Sequence, residues 1–250
     1  MAAFTISLAG IPIAVSPCYS TISDYFVDYR CDETPLFSVS ASFRDIEYER
    51  TEFNKRRQRD GLAACSSSDV VLEAMALLRA IANRIIDYNV LLFHSSVIAV
   101  DGKAYIFTAP SHTGKTTHTR LWLEQLPQAH VLNGDKPFLK VEANGRILAC
   151  GTPWRGKEHY GVNEMLPLEA ICLLERDETN HIEAISFKEA LNTLILQTHL
   201  PNDPLSKVKA IQLIGRVGQS VKLYQLGCNM NPEAARVSIH AMLSREEHLS

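Results

Sequence analysis

Ala104-Tyr-Ile-Phe-Thr-Ala-Pro-Ser-His-Thr-Gly-Lys-Thr-Thr117 decides the reading of this chain. Its first five residues are apolar or β-favouring and read as a strand. Ala109 to Thr117 then follows the template G-x-x-x-x-G-K-[S/T] at every fixed position but the first, where Ala109 stands for glycine. Leu121, Leu123 and Leu126 supply the apolar positions of a helix running from Thr117 to about Leu126. Strand, loop and helix in this order form a phosphate cradle. Backbone N–H groups of Ser111, His112, Thr113 and Gly114, with the helix start at Thr117, would point at phosphate oxygens. Gly114 lets the backbone pass close to the ligand, Lys115 reaches the β- and γ-phosphates as a point charge, and the Thr116 hydroxyl suits Mg²⁺. The implied ligand is ATP or another nucleoside triphosphate with Mg²⁺. The competing reading is an ordinary strand-to-helix turn, and His112 either touches phosphate or faces solvent.

Outward from the loop, Asp101-Gly102 is a hairpin signal, so the strand before the loop pairs antiparallel with the run Val90 to Val100. That entry differs from the all-parallel start of many nucleotide-binding folds. Downstream, His130 to Asn133 reads as a short strand ending at Gly134-Asp135. Phe138 to Val141 and Arg146 to Cys150 form a second hairpin about Asn144-Gly145, and Pro167 to Glu175 is a central strand. Ser66 to Tyr88, Phe187 to His199 and Leu205 to Val217 carry helical spacing, Val221 to Leu226 a strand, and Asn231-Pro232 opens a last helix. The first residues look β-rich, with Phe4 to Leu8, Ile11 to Val15, Leu36 to Ser40 and, more weakly, Ile46 to Tyr48 as strands. Glu47 to Asp60, dense in both charges, reads as a solvated loop or edge. The expected organisation is an α/β mixed sheet: a β-rich region over 1–65 and a P-loop kinase-like core over 66–250.

Composition limits the function. At 250 residues, 46% apolar, 21% charged and net charge −3, the chain lacks the basic balance of a nucleic-acid binder. It has no apolar run long enough for a membrane span, and its start reads as a strand rather than a signal peptide. The 6 cysteines are scattered without metal-ligand spacing, which points to a reduced, cytoplasmic setting.

His94 at a strand, a hairpin, Thr113-Gly-Lys-Thr-Thr117 and a downstream strand closing on Asp135 together resemble the core shared by HPr serine kinase/phosphorylases and phosphoenolpyruvate carboxykinases. The resemblance spans roughly residues 90–175. It implies an HPr kinase/carboxykinase-like nucleotide-binding core. It also implies that Asp135 ligates metal or takes the proton of an attacking hydroxyl, and that His94 lies beside the phosphates. Arg155 and Lys157, in Gly151-Thr-Pro-Trp-Arg-Gly-Lys157, would neutralise the transferring phosphoryl group. The implied reaction passes the γ-phosphoryl group to a seryl-type hydroxyl on a peptide or small protein, in a family that forms homo-oligomers. From the residues alone, Asp135 also reads as a turn cap, His94 as a core histidine, and Arg155 and Lys157 as surface charges. Where family kinases carry two adjacent acids, this chain has Asn133-Gly-Asp-Lys136, with one. Two alternatives follow: a non-catalytic nucleotide-binding module in a peptide-modification pathway, and a carboxykinase-like or phosphorolytic enzyme.

Overall fold

The structure is a computed structural model describing residues 3–64, 66–110 and 113–244, and it resolves into two compact units, 1–88 and 89–250.

The first unit holds a three-stranded sheet. Strands β1 (Phe4–Leu8) and β2 (Ile11–Ser16) form a hairpin, and β3 (Phe37–Ser40) adds parallel to β2. A one-turn helix α1 (Ile22–Tyr25) precedes β3, and two 17-residue helices, α2 (Phe43–Arg59) and α3 (Asp69–Ile85), follow it. Helix α2 replaces the expected weak strand at Ile46 and the loop at Glu47 to Asp60. Local chemistry explains the correction. Ser42 and Asp45 form a capping box. Arg50 then pairs with Glu47 and Lys55 with Glu52, each three residues apart, so the charge density that suggested a loop lines a helix face. In α3, the apolar face Leu72, Leu77, Leu78, Ile81 and Ile85 is buried. Glu73, fully buried, accepts the backbone N–H groups of Cys18 and Tyr19.

The second unit is built on a nine-stranded mixed sheet. In chain order its elements are β4 (Val90–Leu92), β5 (Ser96–Val100), β6 (Lys103–Thr108), α4 (Lys115–Gln125), β7 (His130–Asn133), β8 (Phe138–Val141) and β9 (Ile147–Cys150). There follow β10 (Met165–Arg176), β11 (His181–Ala184), α5 (Phe187–Gln197), α6 (Pro204–Ser220), β12 (Lys222–Cys228) and α7 (Pro232–Leu243). The path β4-β8-β9-β10-β6-β5-β7 carries β12 beside β10 and β11 beside β12. Strands β6, β10 and β12 run parallel, and β5 enters β6 antiparallel through the Asp101-Gly102 turn. The fold is therefore mixed α/β. Helix α4 packs Trp122 against Phe107 of β6, ring centroids 5.0 Å apart and near edge-on, and both side chains are fully buried. Burial of each such ring stabilises by about 1.5–3 kcal/mol.

The run Val90 to Val100, expected as one strand, breaks at Phe93-His-Ser95. The backbone donors there leave the sheet: Phe93 N–H bonds to Pro137 O, His94 N–H to Gln197 O and Ser95 N–H to Asp135 O. Tertiary partners outcompete strand pairing, and His94 lies between β4 and β5, outside both strands. The 5 described cysteines, Cys18, Cys31, Cys150, Cys172 and Cys228, are free thiols. Among the described residues, no helix is long and apolar enough to cross a membrane.

Candidate functional site

The loop between β6 and α4 ends at Gly114, whose φ of 119° belongs to a region L side chains rarely adopt. Among the described residues no side chain caps α4, which leaves its first-turn N–H groups to an oxygen ligand. Ser111 and His112 lie outside the described residues. Thr113 folds over the loop, its hydroxyl donating to Pro110 O at 2.9 Å. Thr116 is exposed and Thr117 half-buried on the first turn. Lys115 is half-buried, and its ammonium donates to Ala109 O at 2.9 Å. Burial and the neighbouring Lys136 lower its pKa, against the opposing pull of Asp135. Lys115 and Asp135 are thus electrostatic neighbours.

The turn after β7 is built by Asn133. Its side chain is buried, with Oδ1 accepting from the Asp135 and Lys136 amides at 3.0 and 2.8 Å. Its Nδ2 donates to Thr152 O and Oγ1 at 3.0 and 3.1 Å, and the Thr152 hydroxyl closes the ring by donating to Lys136 O at 2.7 Å. This network ties the Asp135 turn to the segment that begins at Gly151. Two glycines allow the contact. A Cβ on Gly134 would stand 2.6 Å from Arg155 O, and one on Gly156 3.1 Å from Asp135 Cβ. The Arg155 backbone therefore passes beside the Asp135 turn, and its half-buried side chain runs along Gly161, while Lys157 is exposed and makes no ion pair among the described residues.

His94 reaches the same turn from the strand break. Its Nε2 lies 3.2 Å from Asp135 Oδ1 and its Nδ1 2.8 Å from Gln197 Oε1, at the end of α5. Lys136 Nζ completes the cluster, 3.2 Å from Asp135 Oδ2. Burial works against the Asp135 charge, but the His94 hydrogen bond and Lys136 outweigh it and hold the carboxyl below its ordinary range. Asp135 thus stands ionised, a hard oxygen donor that acts electrostatically on Lys115 of the loop, whose neighbour Thr116 is exposed. Among the described residues, no group of three or more His, Cys, Asp or Glu side chains could hold a metal without further ligands. One carboxylate plus a hydroxyl, completed by phosphate oxygens and water, matches the way Mg²⁺ is held.

Of the residues singled out in the sequence, His94 bonds to Asp135 and Asp135 acts on Lys115, Arg155 reaches the Asp135 turn through its backbone, and Lys157 is exposed. Asn133, Thr152 and Gln197 were missed. The Asn133-Gly134-Asp135 pattern signals an Asx-type turn, but Thr152 and Gln197 carry no local sign because their partners lie far along the chain.

On the other flank of the loop, an open cleft of about 460 Å³ lies between Thr113, Gly114 and Thr117 and the carboxyl ends of β10 and β12 with the residues just beyond.

Comparison of the sequence with protein-family models and with curated proteins finds no match. Among solved structures, the Hpr(Ser) kinase/phosphatase from Coxiella burnetii is similar over 61% of this chain and 96% of its own length. The identity is 10% and the TM-score 0.36, a likeness that assigns neither family nor activity.

Proposed function

We propose that the second unit is an HPr-kinase-like enzyme that binds Mg²⁺-ATP in the Ala109–Thr117 loop and passes the γ-phosphoryl group to a seryl-type hydroxyl. The observation that carries this reading is the convergence of an ionised, His94-bonded Asp135 on the flank of an uncapped helix start that holds Lys115. Phosphoryl transfer asks little covalent chemistry of a protein. It asks for positioning and for positive charge about the transferring group. The α4 amides and Lys115 would hold the phosphates, once Lys115 exchanges its bond to Ala109 O for a phosphate oxygen. Bound Mg²⁺ would neutralise charge on the β- and γ-phosphates, held by Thr116 and Asp135. Asp135 would accept or orient the proton of the attacking hydroxyl, with His94 fixing the carboxylate. Arg155 would stand against the equatorial oxygens, and Lys157 at the rim would meet an acceptor peptide. A cytoplasmic setting and a homo-oligomer belong to the same proposal.

The test is transfer of labelled γ-phosphate from Mg²⁺-ATP to a panel of seryl peptides and small proteins. Label in an acceptor with wild type and none with Asp135→Asn supports the kinase. Nucleotide binding with no transfer in either protein favours the non-catalytic module. The specific observation behind that second reading is that Asp135, the one acid of its turn, is already engaged by Lys136 and His94.

A further inference from the structure

The strand order gives the nucleotide a direction. Strands β12, β10, β6, β5 and β7 lie side by side in that order. The phosphate loop leaves β6 at the centre. Asp135 and His94 belong to the β5–β7 flank. The 460 Å³ cleft belongs to the opposite flank, where Arg176 ends β10 and Asp177 follows it, and Cys228 ends β12 with Met230 two residues beyond. These strands are parallel and in register, Thr108 beside Leu173 and Arg176 beside Cys228, so their carboxyl ends open into one crevice. Such crevices are where open α/β sheets take ligands.

We propose that this cleft seats the nucleoside of a nucleoside triphosphate, so that the phosphate chain crosses the loop from the β12 side to the β7 side and presents its last phosphorus to Asp135. The proposal rests on the phosphate-binding reading of the loop and adds the site for the remainder of the ligand. The lining suits the task. Arg176 is a planar cation that can stack on a base, and the exposed Met230 thioether is a soft, adaptable apolar contact. Asp177 accepts from the Thr179 amide and hydroxyl at 2.9 and 3.1 Å and from the Glu178 amide, which fixes a carboxylate able to accept a ribose hydroxyl as well. The wall on the α4 side is His118, 3% exposed. Its Nε2 bonds to Ser238 Oγ at 2.9 Å, and its Nδ1 is buried without a hydrogen-bond partner among the described residues. The rest of the wall is Thr113, Gly114 and Thr117 of the loop and Cys228 and Asn229 at the end of β12.

The test is nuclear magnetic resonance of methyl-labelled methionine, with the Met230 signal assigned by its loss in Met230→Leu. Mg²⁺-ADP and Mg²⁺-tripolyphosphate are titrated separately, and melting temperature is followed in parallel. The expected result is that both ligands raise the melting temperature while only ADP moves the Met230 methyl, through the ring current of its base. Asp177→Ala should weaken ADP about tenfold and leave tripolyphosphate unchanged. If both ligands stabilise the protein and Met230 stays still with ADP, the nucleoside lies elsewhere and this inference falls, with the loop reading intact. If neither ligand changes the melting temperature, the loop reading itself falls and takes the inference with it.

Discussion

His94 stands between Asp135 and Gln197, with Nε2 3.2 Å from Asp135 Oδ1 and Nδ1 2.8 Å from Gln197 Oε1. A neutral imidazole has one N–H and cannot donate to both oxygens. Either the ring carries two protons, or the Gln197 amide is turned so that its nitrogen donates to Nδ1 and the neutral ring donates to Asp135. In each case Asp135 receives a hydrogen bond that aims one carboxylate oxygen and leaves the other at Lys136. Replacing the carboxylate by an amide keeps the shape and removes the base. Asp135→Asn should lower ATP turnover by on the order of 10²- to 10⁴-fold while nucleotide affinity changes only a few-fold. Turnover and calorimetric binding measured on the same preparation check this.

Lys115 is the second test of the loop. Its ammonium is half-buried and shifted toward easier deprotonation, so a phosphate that arrives beside it replaces a carbonyl with an anion. A ligand at 100 times its dissociation constant adds about 2.7 kcal/mol. In a chain of this size that is an upward shift in melting temperature of roughly 5–10 °C. Wild type should show it with Mg²⁺-ATP, and Lys115→Ala should lose most of it. An equal shift in both would place the nucleotide away from the loop.

Helices α3 to α7 and the strand-to-helix setting of the loop were legible because their signals are local. The Gly-Lys-Thr run, the cap residues and the apolar spacing of α3, α5 and α6 need no partner to be read. Two regions were misread for the converse reason. Helix α2 has a single buried residue, Ile46, so it lacks the apolar stripe that betrays a helix, and its capping box and i,i+3 pairs decide its form. The break at Phe93 to Ser95 is set by Pro137, Gln197 and Asp135, at separations no local pattern reports. The same holds for the site. Asp135, His94 and Lys115 could be suspected from residue type, whereas the roles of Asn133, Thr152 and Gln197 exist only once the chain has folded.

Two glycines should respond to substitution with opposite signs. Gly151 has its Cα against the Val162 carbonyl, where an added Cβ would stand 1.8 Å from the oxygen. Backbone cannot yield there without opening the Gly151–Val162 loop that carries Arg155. Gly151→Ala should therefore destabilise by on the order of 2–4 kcal/mol. Gly215 lies inside α6 with nothing within 4 Å of a built Cβ and with helical backbone. Gly215→Ala should stabilise by about 0.5–1 kcal/mol, because it reduces the freedom of the unfolded chain at no steric cost. Urea titrations of the two variants against wild type decide both signs. A neutral Gly151→Ala would mean that the loop bearing Arg155 is not held against Val162.

His118 makes stability depend on pH in a predictable sense. The ring is packed on Phe107 at 4.7 Å between centroids and is held by Ser238, which also accepts from Trp122 Nε1 at 2.7 Å. Burial with no neighbouring charge moves its pKa down from 6.5 to about 4. As pH falls through 6.5, the unfolded chain takes a proton that the folded chain refuses, so the stability held by the neutral ring is present above that value and drains away toward pH 4. The full shift corresponds to about 3 kcal/mol. His118→Asn keeps a polar group near Ser238 but cannot take up the proton. Its unfolding free energy should therefore fall less steeply across this window, by about 1 kcal/mol per pH unit in the middle of the range. Carboxylates such as Asp135 contribute to both proteins alike and cancel in the difference. Parallel slopes in wild type and variant would mean that the imidazole is not buried in its neutral form, and that the wall of the cleft beside Thr117 is open to water.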